Sequence, residues 1–149
     1  MKLFFPLILL LTVISFTACL GPTQDEKDND IIQEYITKNK VDATKHSSGL
    51  YYVIKTPGTG VNPTAQNTVT VHYKGYFTDG TVFDGTTGTP VSFILGGLIP
   101  GWVIGIPLIK KGGEIQLILP SSLAYGPRGQ GGIPPNTVLI FDITLVDVK

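Results

Sequence analysis

The chain has 149 residues and a formal net charge of +0, which suits one ordinary domain and excludes recognition of nucleic acid by a basic face. Its 18 glycines and 11 prolines follow no fixed period, so collagen-like and repeat architectures are excluded as well. With a single cysteine, the chain has no internal disulfide.

The N-terminus has the pattern of an export signal. Lys2 precedes an uncharged, apolar run from Leu3 to Ala18, shorter than the about 20 residues of a membrane span and typical of a signal peptide. With Cys19, the sequence Phe-Thr-Ala-Cys resembles a bacterial lipobox. The resemblance implies a lipid on Cys19, an extracytoplasmic place in the cell envelope and, because no Asp follows, the outer membrane facing the periplasm. Alternatively, Cys19 is removed with the signal peptide.

The next two segments are predicted from their polarity. Residues 19–30 are polar without periodicity, so beyond Cys19 we expect a flexible linker. Its acidic cluster is interpreted as solubilising: Asp25, Glu26 and Asp28. Residues 31–47 are expected to contain a short helix that Asp30 caps. The apolar residues at helical spacing are Ile31, Ile32, Tyr35 and Ile36.

From Ser48 onward the chain reads as strands with one helix. Alternating apolar residues and turn signals predict strands over residues 50–55, 69–77, 82–84, 91–95, 114–120 and 138–148. Pro100 suits the first position of a short helix, which Pro107 limits to about two turns. Residues 121–136 form a Gly/Pro-rich loop. The pattern predicts an α+β fold, a twisted antiparallel sheet of about five strands wrapped around one short helix.

One stretch suggests a pocket. In residues 69–84, Val69, Val71 and Tyr73 alternate with polar residues, and the chain turns back at Asp79-Gly80. The returning strand ends on Asp84. A carboxylate beside aromatic rings needs a partner or a function.

Three blocks together carry a family resemblance: VHYKGYFTDGTVFD, LIPGW and SLAYGPRGQGGIPPNTVLIFDITL. In this order and spacing, over Ser48 to Val148, the chain resembles the FKBP-type peptidyl-prolyl cis-trans isomerases. The resemblance implies an FKBP-like fold for residues 48–149, a five-stranded antiparallel sheet wrapped around a short helix. It implies peptidyl-prolyl cis-trans isomerase activity on Xaa-Pro segments of unfolded or secreted proteins, with no cofactor, no metal and no nucleic acid, and binding of macrolides of the rapamycin type.

The resemblance also implies roles for individual residues. The residues implied to be catalytic are Tyr73, Asp84 and Tyr125. Those implied to bind substrate are Phe83, Phe93, Leu98, Ile99, Trp102, Ile133 and Phe141. Taken singly, Phe93, Trp102 and Phe141 are better explained as plain core. Tyr73 and Tyr125 are also compatible with half-buried rings whose hydroxyls are satisfied. His72 alternates with Tyr73, so we expect it to face away from the pocket.

Two other functions remain open at this point. A proline-binding chaperone would hold clients without catalysis, but chaperone-type relatives carry an insert in the flap, for which Tyr125 to Pro134 leaves no room. An envelope scaffold is supported only by the N-terminal helix and by Val103 and Ile104, which we expect to be exposed beside the pocket.

Overall fold

The computed structural model of the chain describes residues 21–149, so Cys19 and the apolar run before it lie outside the described residues. Within residues 21–149, two α-helices and seven strands follow one another, and all strand pairs are antiparallel. Their bounds are α1 Gln24–Asn39, β1 Thr44–Lys45, β2 Tyr51–Thr56, β3 Thr68–Tyr76, β4 Val82–Gly85, β5 Val91–Ile94, α2 Pro100–Gly105, β6 Glu114–Leu119 and β7 Leu139–Val148.

The strands form one sheet in the order β1-β2-β6-β7-β3-β4, and β5 also pairs with β3. The predicted α+β class is confirmed, while the count of five strands is not. The two-residue β1 adds one strand, and β4 and β5 share one edge of β3 because a turn separates them. The predicted strands otherwise lie where the alternation indicated, within one or two residues.

Helix α2 packs against the concave face of the sheet at very short range. A Cβ atom on Gly101 would lie 2.5 Å from Cδ1 of Leu119, and one on Gly105 would lie 2.6 Å from Cδ1 of Leu117. Only glycine permits this approach. The two glycines therefore bring α2 close to β6 and set the depth at which the buried Trp102 lies.

The prediction of a flexible linker up to residue 30 is wrong. Helix α1 begins at Gln24, and Thr23 and Glu26 form a capping box in which the Glu26 amide donates to Thr23 Oγ1 (3.3 Å) and the Thr23 amide to Glu26 Oε2 (2.7 Å). Asp30 lies inside the helix and does not cap it. The signal for this earlier start is the Thr-x-x-Glu spacing of Thr23 and Glu26, which marks a helix N-terminus. Asp28 is fully buried, so the solubilising interpretation fails there too.

Helix α1 covers the convex face of the sheet. Ile32 is fully buried in a second apolar cluster with Tyr51 and Tyr76, which contributes about 1.5 to 3 kcal/mol to docking of the helix. The Tyr51 hydroxyl donates to Asn29 Oδ1 (2.9 Å) and accepts from Gln33 (2.9 Å). The sheet thus lies between two helices. Within residues 21–149, neither is long and apolar enough to cross a bilayer.

Candidate active site

A cavity of about 330 Å³ opens on the concave side of the sheet. Strands β3, β4, β5 and β7 supply one wall, helix α2 and the residues before it supply the floor, and the loop after β6 supplies the rim. The lining residues are Tyr73, Asp84, Phe93, Gly97, Leu98, Ile99, Trp102, Tyr125, Gln130 and Phe141.

Three aromatic rings form the base of the cavity. Trp102 meets Tyr73 at a centroid distance of 5.1 Å and Phe141 at 5.3 Å, with interplanar angles of 81° and 90°. Such edge-to-face pairs are the favoured arrangement of aromatic rings, and they fix each ring against its neighbours. The base is therefore rigid, apolar and only 3–5% exposed at Trp102 and Phe141.

Trp102 also carries an unsatisfied donor. Its indole Nε1 is buried and has no hydrogen-bond partner among the described residues. A buried donor without an acceptor costs about 1 to 3 kcal/mol. Such a group is rare in a plain core, and here it lies in a residue that lines the cavity.

Asp84 and Tyr73 form a pair at one side. The Tyr73 hydroxyl donates to Asp84 Oδ2 at 2.7 Å, and the Gly85 amide donates to Asp84 Oδ1 at 2.8 Å. Pairing of Gly75 with Asp84 across β3 and β4 places the carboxylate there. Burial, together with the hydrogen bond and charge of Asp84, raises the pKa of Tyr73 to about 12, so this hydroxyl is a neutral donor at physiological pH.

Two further donors belong to residues that line the cavity, Tyr125 and Ile99. Burial, and then the charge of Asp84, raise the pKa of Tyr125 above its ordinary value, so its hydroxyl stays protonated too. The Ile99 carbonyl accepts from the amides of Trp102 (2.9 Å) and Val103 (3.2 Å) at the start of α2. The Ile99 amide itself donates to no residue that the structure describes.

Eight of the ten residues implied by the resemblance line this cavity, and the other two, Phe83 and Ile133, do not. Phe83 packs against Phe141 with a centroid distance of 5.6 Å. Ile133 is half-buried in a tight turn, where its backbone exchanges hydrogen bonds with Gln130 (3.0 and 2.9 Å). Sequence reasoning missed the lining residues Gly97 and Gln130, since neither an isolated glycine nor a polar loop residue carries a distinguishing signal.

Other candidates lie apart from the cavity. His72 contacts Thr86 Oγ1 at 3.2 Å and does not line the cavity. Val103 and Ile104 are half-buried, with Ile104 packed against the core, so they are not the exposed apolar surface expected for a scaffold. Within residues 21–149, no three His, Cys, Asp or Glu side chains are grouped closely enough to hold a metal ion.

Solved structures with the same fold have been compared with this chain. The crystal structure of FkpA from Escherichia coli matches with a TM-score of 0.75 and 46% identity, covering 85% of this chain and 62% of that one. A peptidyl-prolyl cis-trans isomerase from Pseudomonas syringae pv. tomato matches with a TM-score of 0.72 and 32% identity, covering 87% of this chain and 99% of that one.

Sequence relatives agree with this likeness. The FkpA proteins of Escherichia coli K12 and Aeromonas hydrophila, named as FKBP-type peptidyl-prolyl cis-trans isomerases, are 46% and 41% identical to it, each over 85% of this chain. The chain spans about half the length of these relatives, 48% and 51%. The sequence pattern of FKBP-type peptidyl-prolyl cis-trans isomerases matches residues 60–146. The chain therefore belongs to the FKBP-type peptidyl-prolyl cis-trans isomerase family.

Proposed function

We propose that this chain catalyses cis-trans isomerisation of Xaa-Pro peptide bonds and so assists the folding of extracytoplasmic proteins. The observation that carries the proposal is the cavity itself, an aromatic base with two further lining residues, Ile99 and Tyr125, whose amide and hydroxyl are hydrogen-bond donors. Its volume of about 330 Å³ suits a proline ring with its flanking peptide groups, since ligand pockets begin at about 300 Å³.

The chemistry needs no nucleophile. Resonance in the peptide bond imposes a rotation barrier of about 18 to 20 kcal/mol, and uncatalysed Xaa-Pro isomerisation takes tens to hundreds of seconds. An acceleration of about 10³- to 10⁵-fold requires a barrier lower by only about 4 to 7 kcal/mol. A dry aromatic cavity disfavours the charge-separated planar amide relative to the twisted one, which is differential binding of the transition state.

Named groups would hold the substrate in this cavity. The proline ring would lie over Trp102, between Tyr73 and Phe141. The Ile99 amide and the Tyr125 hydroxyl would each donate to a substrate carbonyl and thereby align the chain on both sides of the proline. Asp84 would fix the orientation of the Tyr73 ring through the 2.7 Å hydrogen bond that it accepts from the Tyr73 hydroxyl. A macrolide of the rapamycin type would occupy the same cavity and inhibit the reaction.

A protease-coupled assay on a short Xaa-Pro peptide tests this function. The purified chain should accelerate isomerisation by at least about 10³-fold at saturation, and a macrolide of the rapamycin type should abolish the acceleration. His72→Ala is the matched control because His72 lies outside the cavity. An uncatalysed rate, with peptide binding retained, would instead support the proline-binding chaperone.

We further propose that Cys19 carries a lipid and anchors the chain in the cell envelope, at the outer membrane. The support is the lipobox-like sequence around Cys19. With α1 starting at Gln24, the intervening residues span at most about 18 Å, so the tether would be short and the domain would lie near the bilayer. Mass spectrometry of the mature N-terminus, with Cys19→Ser as control, decides this: an unmodified N-terminus excludes the anchor.

A further inference from the structure

A buried carboxylate on helix α1 is hydrogen-bonded to the loop that carries Tyr125. Asp28 is 0% exposed. Its Oδ2 accepts from both the amide (2.7 Å) and the hydroxyl (2.6 Å) of Ser121, and its Oδ1 accepts from Gln24 Nε2 (2.7 Å). Both carboxylate oxygens are thus occupied, and two of the three donors belong to one residue far along the chain.

No cation among residues 21–149 forms an ion pair with Asp28. In the part of the chain that the structure describes, the ion pairs involve other acids, Asp142 and Asp147. A buried carboxylate without a counter-ion is costly and is tolerated only when its hydrogen bonds are complete. An apolar side chain would dock α1 with less desolvation. The carboxylate at this position is therefore better explained by what it holds, the backbone of Ser121.

The backbone of Ser121 leads directly to the cavity. Residues Ser121–Leu123 form a single 3-10 turn after β6, in which the Leu123 amide donates to Pro120 (3.0 Å) and the Ala124 amide to Ser121 (3.0 Å). Tyr125 follows directly after Ala124, and it lines the cavity. With so short and hydrogen-bonded a connection, a displacement of Ser121 is transmitted to the Tyr125 ring.

The far side of Tyr125 is held separately. The Asn136 amide donates to the Gly126 carbonyl at 2.9 Å, so the residue after Tyr125 is attached to the end of the loop. The residue pair Asp28–Ser121 is the corresponding attachment before it. The exposed Ser122 hydroxyl adds a second attachment on the same side by donating to Asp25 Oδ1 at 3.1 Å. Removing the buried bonds of Asp28 therefore weakens the attachment before Tyr125 and leaves the one after it intact.

We infer that Asp28 is a positioning residue for the isomerase site: from the opposite face of the sheet it fixes the Ser121–Leu123 turn and, through it, the hydroxyl of Tyr125. This inference rests on the proposed function and adds helix α1 to the machinery that shapes the substrate cavity. Asp28 touches no substrate. It acts through backbone geometry, and a misplacement of about 1 Å in such a group lowers activity by as much as about 100-fold.

The test compares Asp28→Ala with Asp28→Asn in the full chain. The alanine leaves the Ser121 amide unheld, and kcat/KM for a short Xaa-Pro peptide should fall about ten-fold. The asparagine keeps an acceptor oxygen for Ser121, so it should restore kcat/KM to within about three-fold of the unaltered chain. Asp30→Asn, an exposed change of the same charge on the same helix, should have no effect.

A double-mutant cycle separates positioning from general stability. If Asp28 acts through Tyr125, Asp28→Ala should lower kcat/KM by less than about two-fold once Tyr125→Phe has removed the hydroxyl, because coupled residues are not additive. Equal losses in both backgrounds would overturn the inference. Should Asp28→Ala fail to fold, Ser121→Ala removes only the hydroxyl bond and should give about a three-fold loss with the same cycle.

Amide hydrogen exchange gives a readout that does not depend on activity. Exchange at Leu123 and Ala124 should accelerate at least about ten-fold in Asp28→Ala, while amides of β3 stay protected. Unchanged exchange there, or unchanged kcat/KM in an active chain, would refute the inference. An unaltered chain that shows no isomerase activity would instead refute the proposed function, and the exchange rates would still decide whether Asp28 holds the turn.

Discussion

Both faces of the sheet are rich in aromatic residues, but they differ in whether the polar atoms of these residues all have hydrogen-bond partners. On the convex face, the Tyr76 hydroxyl donates to Asp142 Oδ2 (3.1 Å) and accepts from Gln116 Nε2 (2.9 Å), and Lys55 pairs with Asp142 at 2.9 Å. On the concave face, the indole nitrogen of Trp102 has no partner within residues 21–149.

This difference separates a core from a site. Aromatic rings alone do not, since Tyr76 on one face and Phe141 on the other are equally buried for practical purposes, at 8% and 3% exposed. Buried donors in a core are normally satisfied internally, so the buried indole donor of Trp102, which has no acceptor among the described residues, distinguishes this face from a plain core. The cavity lies on the face that carries this unsatisfied indole donor.

The largest expected effect follows from removing the base of the cavity. Trp102→Ala should lower kcat/KM by at least about 100-fold because water then enters the space that the twisted amide must occupy. It should also lower the free energy of unfolding by about 3 to 5 kcal/mol. Kinetics at a temperature where circular dichroism shows the variant folded would measure the first effect alone. Retained activity in a folded variant would contradict the role of the concave face.

A smaller effect is expected from a substitution at Gly75, which contacts the aromatic rings of the same face. A Cβ on Gly75 would lie 2.7 Å from Cζ of Phe83 and 2.8 Å from Cε1 of Phe141, so Gly75→Ala should push the Phe141 ring toward the cavity. We expect about a ten-fold loss in kcat/KM and a loss of about 1 to 3 kcal/mol in stability from overpacking. Gly80→Ala, where a Cβ meets open space but φ is +91°, is the control for backbone strain without ring displacement. Equal kinetic losses in both would show that the rings are not involved.

Much of this organisation was predictable from local patterns. The two-residue alternation in β3 places Val69, Val71 and Tyr73 together, and Pro100 marks the start of α2. The family resemblance supplied eight of the cavity's lining residues. These features depend on periodicity, on single turn residues and on spaced motifs, and all three can be recognised in a single sequence.

The surroundings of two polar side chains were not predictable in the same way. Asp28 reads as one of several acids in a polar run, and only the distant Ser121 reveals why it is buried. Gln130 reads as loop, and only the fold shows that it lines the cavity. In both, the decisive contact joins segments whose proximity no local pattern encodes.

A matched pair of substitutions on strand β3 tests the difference between the concave and the convex face of the sheet. Tyr73 and Tyr76 are three residues apart, so their side chains lie on opposite faces. Tyr73→Phe removes the donor to Asp84 (2.7 Å) and should lower kcat/KM about three- to ten-fold with a small change in stability. Tyr76→Phe should leave kcat/KM unchanged and lower the free energy of unfolding by about 1 kcal/mol. Chemical denaturation and the peptide assay, run on both, would contradict the assignment if the two effects were exchanged.

The smallest expected effect is that of pH on the reaction. The hydroxyls of Tyr73 and Tyr125 have raised pKa values, about 12 for Tyr73, so both remain neutral donors. His72, the residue type that ordinarily titrates near neutrality, lies outside the cavity. kcat/KM should therefore be flat between about pH 6 and 8.5, also in His72→Ala. A bell-shaped profile that disappears in His72→Ala would show acid–base catalysis and refute the desolvation mechanism.

Alkaline pH should lower the free energy of unfolding, although pH near neutrality should not change the activity. The folded state holds Tyr73 protonated to about pH 12, whereas an unfolded tyrosine loses its proton near pH 10. The unfolded state thus releases protons first, and the stabilising contribution of this hydroxyl is complete below about pH 10 and declines as pH rises toward 12. Urea denaturation across this range should show the decline, and it should be shallower in Tyr73→Phe. An equal slope in both proteins would mean that burial and the bond to Asp84 do not favour the protonated hydroxyl of Tyr73 in the folded state.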